Sequence, residues 1–301
     1  QPFMNSVYPS NFQVLNPSLT NEKIFSAEVG YGFRSQKFSA NVNLYRTEWR
    51  DRWLRRTNQT FTLADNTTTT GYAEISGITE IHQGVEFDAV YRPTNFLEFQ
   101  GMFSWGDYYY KGNATGSAFD DNNNPLTLSG TSTSTTLYLD KVKVGGTSNN
   151  SIPQMTASLG ATVKPVKDLS IFGTWRYVGK VYSSIDIATF SNQTAQDRGV
   201  LQLPDFNLFD LGISYKIRLK DASQYFTIGA NVYNLFDTFY ISDASTNVFG
   251  SDAPSKLADG TNNTAKKTYE ELGYMYKGVA TDNRVLFGFG RTWAATLSFN
   301  F

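Results

Sequence analysis

The chain of 301 residues contains no cysteine and a single histidine, His82. The first absence excludes a disulfide framework, a thiolate nucleophile and a cysteine metal site. The second excludes any centre that needs two imidazoles. An excess of either charge is also missing, since 26 Lys and Arg stand against 27 Asp and Glu. There is thus no electrostatic footprint for nucleic acid, and none is expected as a partner. No apolar run approaches the roughly 18 residues that a membrane-crossing helix needs, and the mean hydropathy is −0.36. That average does not count against a membrane barrel, whose alternating strands hide their apolar face from it. No secretory leader opens the chain at Gln1, as expected of a mature protein or a fragment.

What the chain does hold is 18 Tyr, 23 Phe and a large complement of Gly, Ser, Thr and Asn. That profile suits many strands joined by polar loops. A rhythm of strand, tight turn, strand and long loop runs from Ile24 onward. It predicts hairpins over 24–53, 84–110, 153–182 and 206–240, and a last strand over 286–301. The tight turns carry Pro, Asn, Asp or Ser, as at Arg92-Pro93-Thr94-Asn95 and Lys220-Asp221-Ala222-Ser223, residues that favour reversals. The polar stretch 54–78 and the stretches 112–151, 183–204 and 242–285 read as loops. The expectation is about nine antiparallel strands, each about 10 to 15 residues long, enough for a tilted bilayer crossing.

Alternation supports a wall with two different faces. Leu169, Ile171, Gly173, Trp175, Tyr177 and Val181 oppose Ser170, Thr174, Arg176 and Lys180. Phe209, Leu211, Ile213, Tyr215 and Ile217 oppose Asp210, Ser214, Lys216 and Arg218, and Val85, Phe87, Ala89 and Tyr91 oppose Glu86 and Asp88. The apolar faces lack charge at their centres, as lipid contact requires. Tyr and Trp gather near strand ends, at Trp49, Trp53, Tyr108, Tyr109, Tyr110, Tyr177 and Tyr182, which suits rings at the headgroup level. A soluble sandwich also alternates. Its strands would be shorter, and its short and long connections would not segregate so strictly. With short turns and the C-terminus on the periplasmic side, the long loops face outside.

Five segments in order resemble the C-terminal barrel region of TonB-dependent receptors. Asn16-Pro17-Ser18-Leu19-Thr20-Asn21-Glu22 is similar to the family's NPxLxxE loop, and Gly84-Val85-Glu86 to its GxE strand. Ile152-Pro153-Gln154-Met155 resembles the entry to a later hairpin. Asn234-Leu235-Phe236-Asp237-Thr238-Phe239-Tyr240 resembles the penultimate-strand NLFDxxY signature, and Gly290-Arg291-Thr292 through Phe301 the terminal strand. The wording is nearest to siderophore-type and related receptors of Bacteroidetes. The resemblance implies an all-β, transmembrane antiparallel β-barrel, of which this chain supplies roughly the last nine of 22 strands. Residues 1–23 would then be a loop or linker from the missing N-terminal half, and 24–301 the barrel wall.

The resemblance further implies a bacterial outer-membrane importer, not an enzyme, that takes up a siderophore, metal complex or similar scarce nutrient. It would be energised by the TonB system through an N-terminal plug that this chain lacks. A SusC-like glycan or peptide importer with a surface lipoprotein and a non-transporting structural or adhesive barrel are the alternatives. No cofactor and no resident metal are expected. The carboxyl and amide oxygens of Asp120 to Asn124 lack EF-hand spacing, and a hydrolase built on His82 finds no partner at a suitable spacing. Glu86, Asp88, Arg176, Lys180, Asp210, Lys216 and Arg218 are expected to face the lumen and the plug. Trp53, Arg55, Arg56, Tyr72, Tyr138, Tyr269, Tyr274 and Tyr276, on or near the outer loops, are the candidate ligand contacts, because aromatics bury area at low entropy cost and Arg pairs with anionic oxygens.

Overall fold

The computed structural model describes residues 20–65, 67–127, 133–146, 151–219 and 224–301. The first hairpin is β1 (Lys23–Arg34) with β2 (Phe38–Thr62), and the second is β3 (Thr68–Thr94) with β4 (Leu97–Tyr110). β5 (Ala114–Asp120) and β6 (Ser134–Leu137) follow in the next long connection. β7 (Met155–Val163) and β8 (Leu169–Gly179) make the third hairpin, and the short helices α1 (Ile187–Phe190) and α2 (Gln193–Arg198) lie beyond it. β9 (Phe206–Arg218) and β10 (Tyr225–Tyr233) make the fourth. β11 (Ile241–Ala244), β12 (Met275–Tyr276), β13 (Val279–Ala280) and β14 (Val285–Phe287) occupy the last long connection before β15 (Thr292–Asn300).

Among the described residues nine strands form the wall, in the antiparallel order β1-β2-β3-β4-β7-β8-β9-β10-β15. Register carries one face across the whole wall. Leu44 pairs with Val29 and Val85, Val85 with Trp105, and Trp105 with Met155. Further along, Ile171 pairs with Ile213, Ile213 with Ala230, and Ala230 with Ala295. These apolar side chains remain open: Leu159 is 56% exposed and Ile213 45%. A sandwich would have buried them against a second sheet. The buried core lies instead at one end of the wall, where Ile75 on the extension of β3 packs with Leu137, Leu139, Ile187 and Phe190 of the long connections and Val181, Leu203, Ile241 and Val279 form a smaller group. A wall with an open apolar outward face, and with its packed core gathered at one end among the strand extensions and long connections, is what lipid on one side demands.

The structure corrects several boundaries. The stretch 54–78 is not a loop, because β2 runs through it to Thr62 and β3 begins again at Thr68. Bulges between Trp49 and Arg52, Arg52 and Leu54, and Arg56 and Gln59, with positive φ at Asp51 and Asn58, break the period-2 pattern. Pairing persists without the alternation that would reveal it. The strand expected over 225–240 stops at Tyr233, where Asn234 (φ 50°) and Asp237 (φ 55°) turn the chain. The segment 286–301 divides, with β14 pairing to β11 and β15 to β10. Residues 1–19, which include most of the expected linker and of the NPxLxxE motif, and the turn 220–223 lie outside the described residues.

The ring belt is also revised. Tyr109 and Tyr177 share the outward parity, whereas Trp49 and Tyr108 fall on the opposite, lumenal face. Tyr110 and Tyr182 are buried beneath the loop layer. Nearness to a strand end does not choose a face; parity does.

Candidate ligand-binding wall

Above the middle of the wall, β2, β3 and β4 bring Trp49, His82 and Tyr108 onto the lumenal face. Their register is Thr47 opposite His82 and His82 opposite Tyr108. The His82 ring stacks on Tyr108 with centroids 4.5 Å apart and on Trp49 at 6.1 Å, both within 15° of parallel. Its Nε2 lies 3.0 Å from the Glu80 carboxylate, which also accepts from Arg52 Nη1 at 2.5 Å. The Arg52 guanidinium in turn lies 4.6 Å from the Trp49 ring centre. Tyr45 and Tyr108 share a hydrogen bond at 2.6 Å between their hydroxyls. Two glycines make room for these rings: a Cβ on Gly84 would meet Tyr45 Oη at 2.7 Å, and one on Gly106 would meet the Tyr108 ring at 2.5 Å. The result is a ladder of flat rings edged by an ion pair, open toward the lumen. It offers π-faces and charge-assisted donors to a planar or oxygen-rich molecule.

The expected lumenal charges are arranged around and below this ladder. Glu86 sits between Asn43 and Ser104 in the lumenal register, and Asp88 accepts from Asn41 Nδ2 at 3.0 Å. Arg176 pairs with Asp210 at 2.7 Å. Lys216 lies 5.0 Å from the Tyr225 ring centre, and Arg218 grips Asp168 with two nitrogens at 2.6 to 3.0 Å. Lys180 departs from the set. It follows the end of β8 with φ 52°, and its ammonium lies 5.2 Å from the ring of Trp105, a residue of the outward face.

The expected ligand contacts are not gathered into one place. Arg55 covers the Tyr72 ring at 3.7 Å. Tyr72 is buried, stacks on Phe119 and donates to Asn123 Oδ1 at 3.0 Å, and burial pushes its phenol above the ordinary range. Arg56 is buried and donates to the Gly146 carbonyl at 3.3 Å, with its pKa pressed down by burial. Trp53 is half-buried in a small cleft with Ile78, Tyr110 and Gly145. The Tyr138 backbone donates to the Phe190 carbonyl at 2.8 Å. Tyr269 is buried with its hydroxyl on Asp282 at 2.5 Å, and Tyr274 Oη accepts from the Ala258 amide at 2.8 Å. Tyr276 is exposed and packs edge-on against Phe239 and Phe287. Most of these side chains therefore hold the outer loops together. The Asp120 carboxylate is likewise engaged by the Asn122 and Asn124 amides at 2.9 and 2.8 Å. Among the described residues no three His, Asp or Glu gather around a possible metal position.

Trp49 and Tyr108, expected in the ring belt, and His82, expected to lack a catalytic partner, are thus brought together by the register. The signal was present in parity, because Tyr108 stands three positions from outward-facing Trp105 and Trp49 five from Leu44.

Comparison with known proteins adds an independent line. A family model described as "TonB dependent receptor-like, beta-barrel" matches residues 2–235. No curated protein matches the chain. Among solved structures, BauA, the ferric preacinetobactin receptor from Acinetobacter baumannii, is 16% identical with a TM-score of 0.51, over 93% of this chain and 30% of that one. The copper transporter OprC is 16% identical with a TM-score of 0.50, over 94% and 32%. FyuA, the ferric yersiniabactin uptake receptor from Yersinia pestis, is 14% identical with a TM-score of 0.50, over 93% and 30%. At such identities the likeness establishes the fold, and the chain spans about a third of the length of these structures.

Proposed function

Because the chain belongs to the TonB-dependent receptor β-barrel family, whose model covers residues 2–235, we propose that it forms the C-terminal wall of an outer-membrane importer. Members of this family are transport receptors of the outer membrane. The cargo we assign is a siderophore, a metal complex or a similar scarce nutrient, moved by TonB acting through a plug carried on the rest of the polypeptide. The reading is carried by one observation. The outer part of the lumenal face bears the Trp49, His82 and Tyr108 ladder with the Arg52 and Glu80 pair beside it. Flat rings beside an arginine suit a large, oxygen-rich chelate. Ferric preacinetobactin, copper and ferric yersiniabactin, named for three solved structures of the same fold, fit the same cargo class.

The test is radiolabelled iron uptake by cells that carry the full-length receptor, with and without a working TonB system. Uptake that falls to the background of receptor-less cells on TonB loss supports the proposal. Uptake that survives TonB loss undiminished removes active transport. A surface lipoprotein that co-purifies with the receptor, together with glycan or peptide uptake, would replace the chelate by those cargoes.

A further inference from the structure

Tyr45 on β2 and Tyr108 on β4 stand on different strands with β3 between them, yet their hydroxyls meet at 2.6 Å. Glycine makes the approach possible. Tyr45 pairs with Gly84, and Gly84 with Gly106, so the row that carries Tyr45 presents no side chain on β3 or β4. The Tyr45 phenol lies over Gly84 and the Tyr108 ring folds back over Gly106, each within 2.8 Å of where a Cβ would stand. Both tyrosines are half-buried on the lumenal face, and the His82 ring braces Tyr108 at 4.5 Å.

No other tyrosine among the described residues has a second phenol as its hydrogen-bond partner. The neighbouring Tyr109 has the opposite, outward parity. Tyr177 and Tyr269 donate to the carboxylates of Asp205 and Asp282, and Tyr72 donates to Asn123. A phenol beside a carboxylate can give up its proton on oxidation, but it has no second ring to join. Tyr45 and Tyr108 supply both rings.

We propose that Tyr45 and Tyr108 are a site of oxidative cross-linking, joined as a dityrosine when a one-electron oxidant reaches the lumen. Two equivalents of oxidant accept one electron each, and each phenol releases its hydroxyl proton to lumenal water, which leaves two phenoxyl radicals. A carbon–carbon bond forms between ring carbons ortho to the two oxygens, and the hydrogen on each of those carbons moves to its oxygen and restores the phenol. The pair has then lost two hydrogens in all. Because the rings are already in contact, coupling needs no diffusional encounter, which is the advantage of a preorganised pair. The new bond staples β2 to β4 across β3 and fixes the Tyr108 ring of the ladder. An iron chelate together with peroxide generates oxidants of this class, so the natural source of the oxidant rests on the import reading. The cross-link itself does not, and it is tested without cargo.

The experiment exposes the full-length receptor, cargo-free in mild detergent, to light-driven ruthenium tris(bipyridine) with persulfate. An equal mixture of isotopically heavy and light receptor separates links within one chain from links between chains. Mass spectrometry of the digest identifies linked peptides, and dityrosine fluorescence measures their total. In the wild type the peptide joining Tyr45 to Tyr108 is expected within single chains, at least ~tenfold more abundant than any other tyrosine pair. Y45F and Y108F keep the ring and lose the phenol, and each is expected to remove most of the fluorescence. Y177F is expected to leave it unchanged. A wild-type yield for this pair no higher than for other pairs overturns the proposal, as does a random mixture of heavy and light in the linked peptide. Fluorescence that falls as far in Y177F as in Y45F overturns it too.

Discussion

His82 lies face to face with Tyr108 on the lumenal wall, 4.5 Å between ring centres and 15° from parallel, although 26 positions separate them in the chain. The antiparallel register of β3 and β4 puts them side by side, and Glu80 holds the free edge of the imidazole. If this stack receives the cargo, truncating its open members removes ring contact worth about 0.5–1.5 kcal/mol each. Trp49→Ala and Tyr108→Leu are each expected to raise the half-saturation of iron uptake by about 2- to 10-fold, with the amount of folded receptor unchanged. Unaltered half-saturation in both variants would take the stack out of the cargo path.

Leu211 and Ser214 test which face meets lipid. Leu211 lies on the outward face opposite Gly173 and Val232, and Ser214 on the lumenal face opposite Ser170 and Gly229. Leu211→Arg is expected to destabilise the full-length barrel by about 2–4 kcal/mol in phospholipid vesicles. Ser214→Arg is expected to stay within about 0.5 kcal/mol. Urea unfolding followed by tryptophan fluorescence measures both, and equal costs would contradict the assigned faces.

Asn234 explains why the NLFD segment turns where it does. It is buried with φ 50°, donates to the Thr238 carbonyl at 2.9 Å and to the Phe289 carbonyl at 3.2 Å, and accepts from the Thr238 amide at 2.8 Å. It thereby ties the end of β10 to the chain entering β15. Asn234→Ala leaves buried polar groups unpaired and replaces an asparagine, which tolerates positive φ, by a residue that tolerates it less well, an expected loss of at least about 2 kcal/mol. Asn234→Gly relieves the backbone and should recover part of that loss. A temperature series of heat-modifiable gel mobility, run on both variants, gives the ranking.

Arg55 and Tyr72 separate a structural role from a binding role. The guanidinium sits 3.7 Å above the ring, a contact worth roughly 0.5–2 kcal/mol depending on its solvation. Arg55→Ala is expected to speed proteolysis between Thr62 and Thr68 while leaving uptake half-saturation within twofold of wild type, an interval of about 0.4 kcal/mol. A large uptake defect with unchanged proteolysis would restore Arg55 as a cargo contact.

Tyr269 gives the last long loop a pH limit. Burial, and then its hydrogen bond to Asp282, raise the phenol from 10.0 to about 12. The folded loop holds this proton more tightly than the unfolded chain does. Its contribution is therefore whole below pH 10 and is lost as pH climbs toward about 12. Hydrogen exchange of residues 269–283 should accelerate across that interval in the wild type and show a weaker pH response in Tyr269→Phe, measured against the intrinsic exchange rate.

Much of the wall was legible without coordinates. Ile171, Ile213 and their neighbours at every second position determine which face is apolar, and turn residues such as Pro93 and Asp168 determine where strands reverse, because both effects act within a few residues. The number of strands, the separation of short turns from long loops and the lumenal parity of Glu86, Asp88, Arg176 and Asp210 follow from that local rule. The rule stops at bulges. Beyond Trp49 the alternation fails, and only pairing with β3 shows that 54–62 is strand. It also cannot say which aromatic near a strand end enters the buried cluster, as Tyr110 does, or which stacks in the lumen, as Tyr108 does. Those outcomes depend on residues tens of positions apart, such as Phe190 and Leu137 within one buried cluster and Ile187 against Gly116. Side-chain direction is a local property of the strand; what each side chain meets is decided by the sheet register and the packing of distant loops.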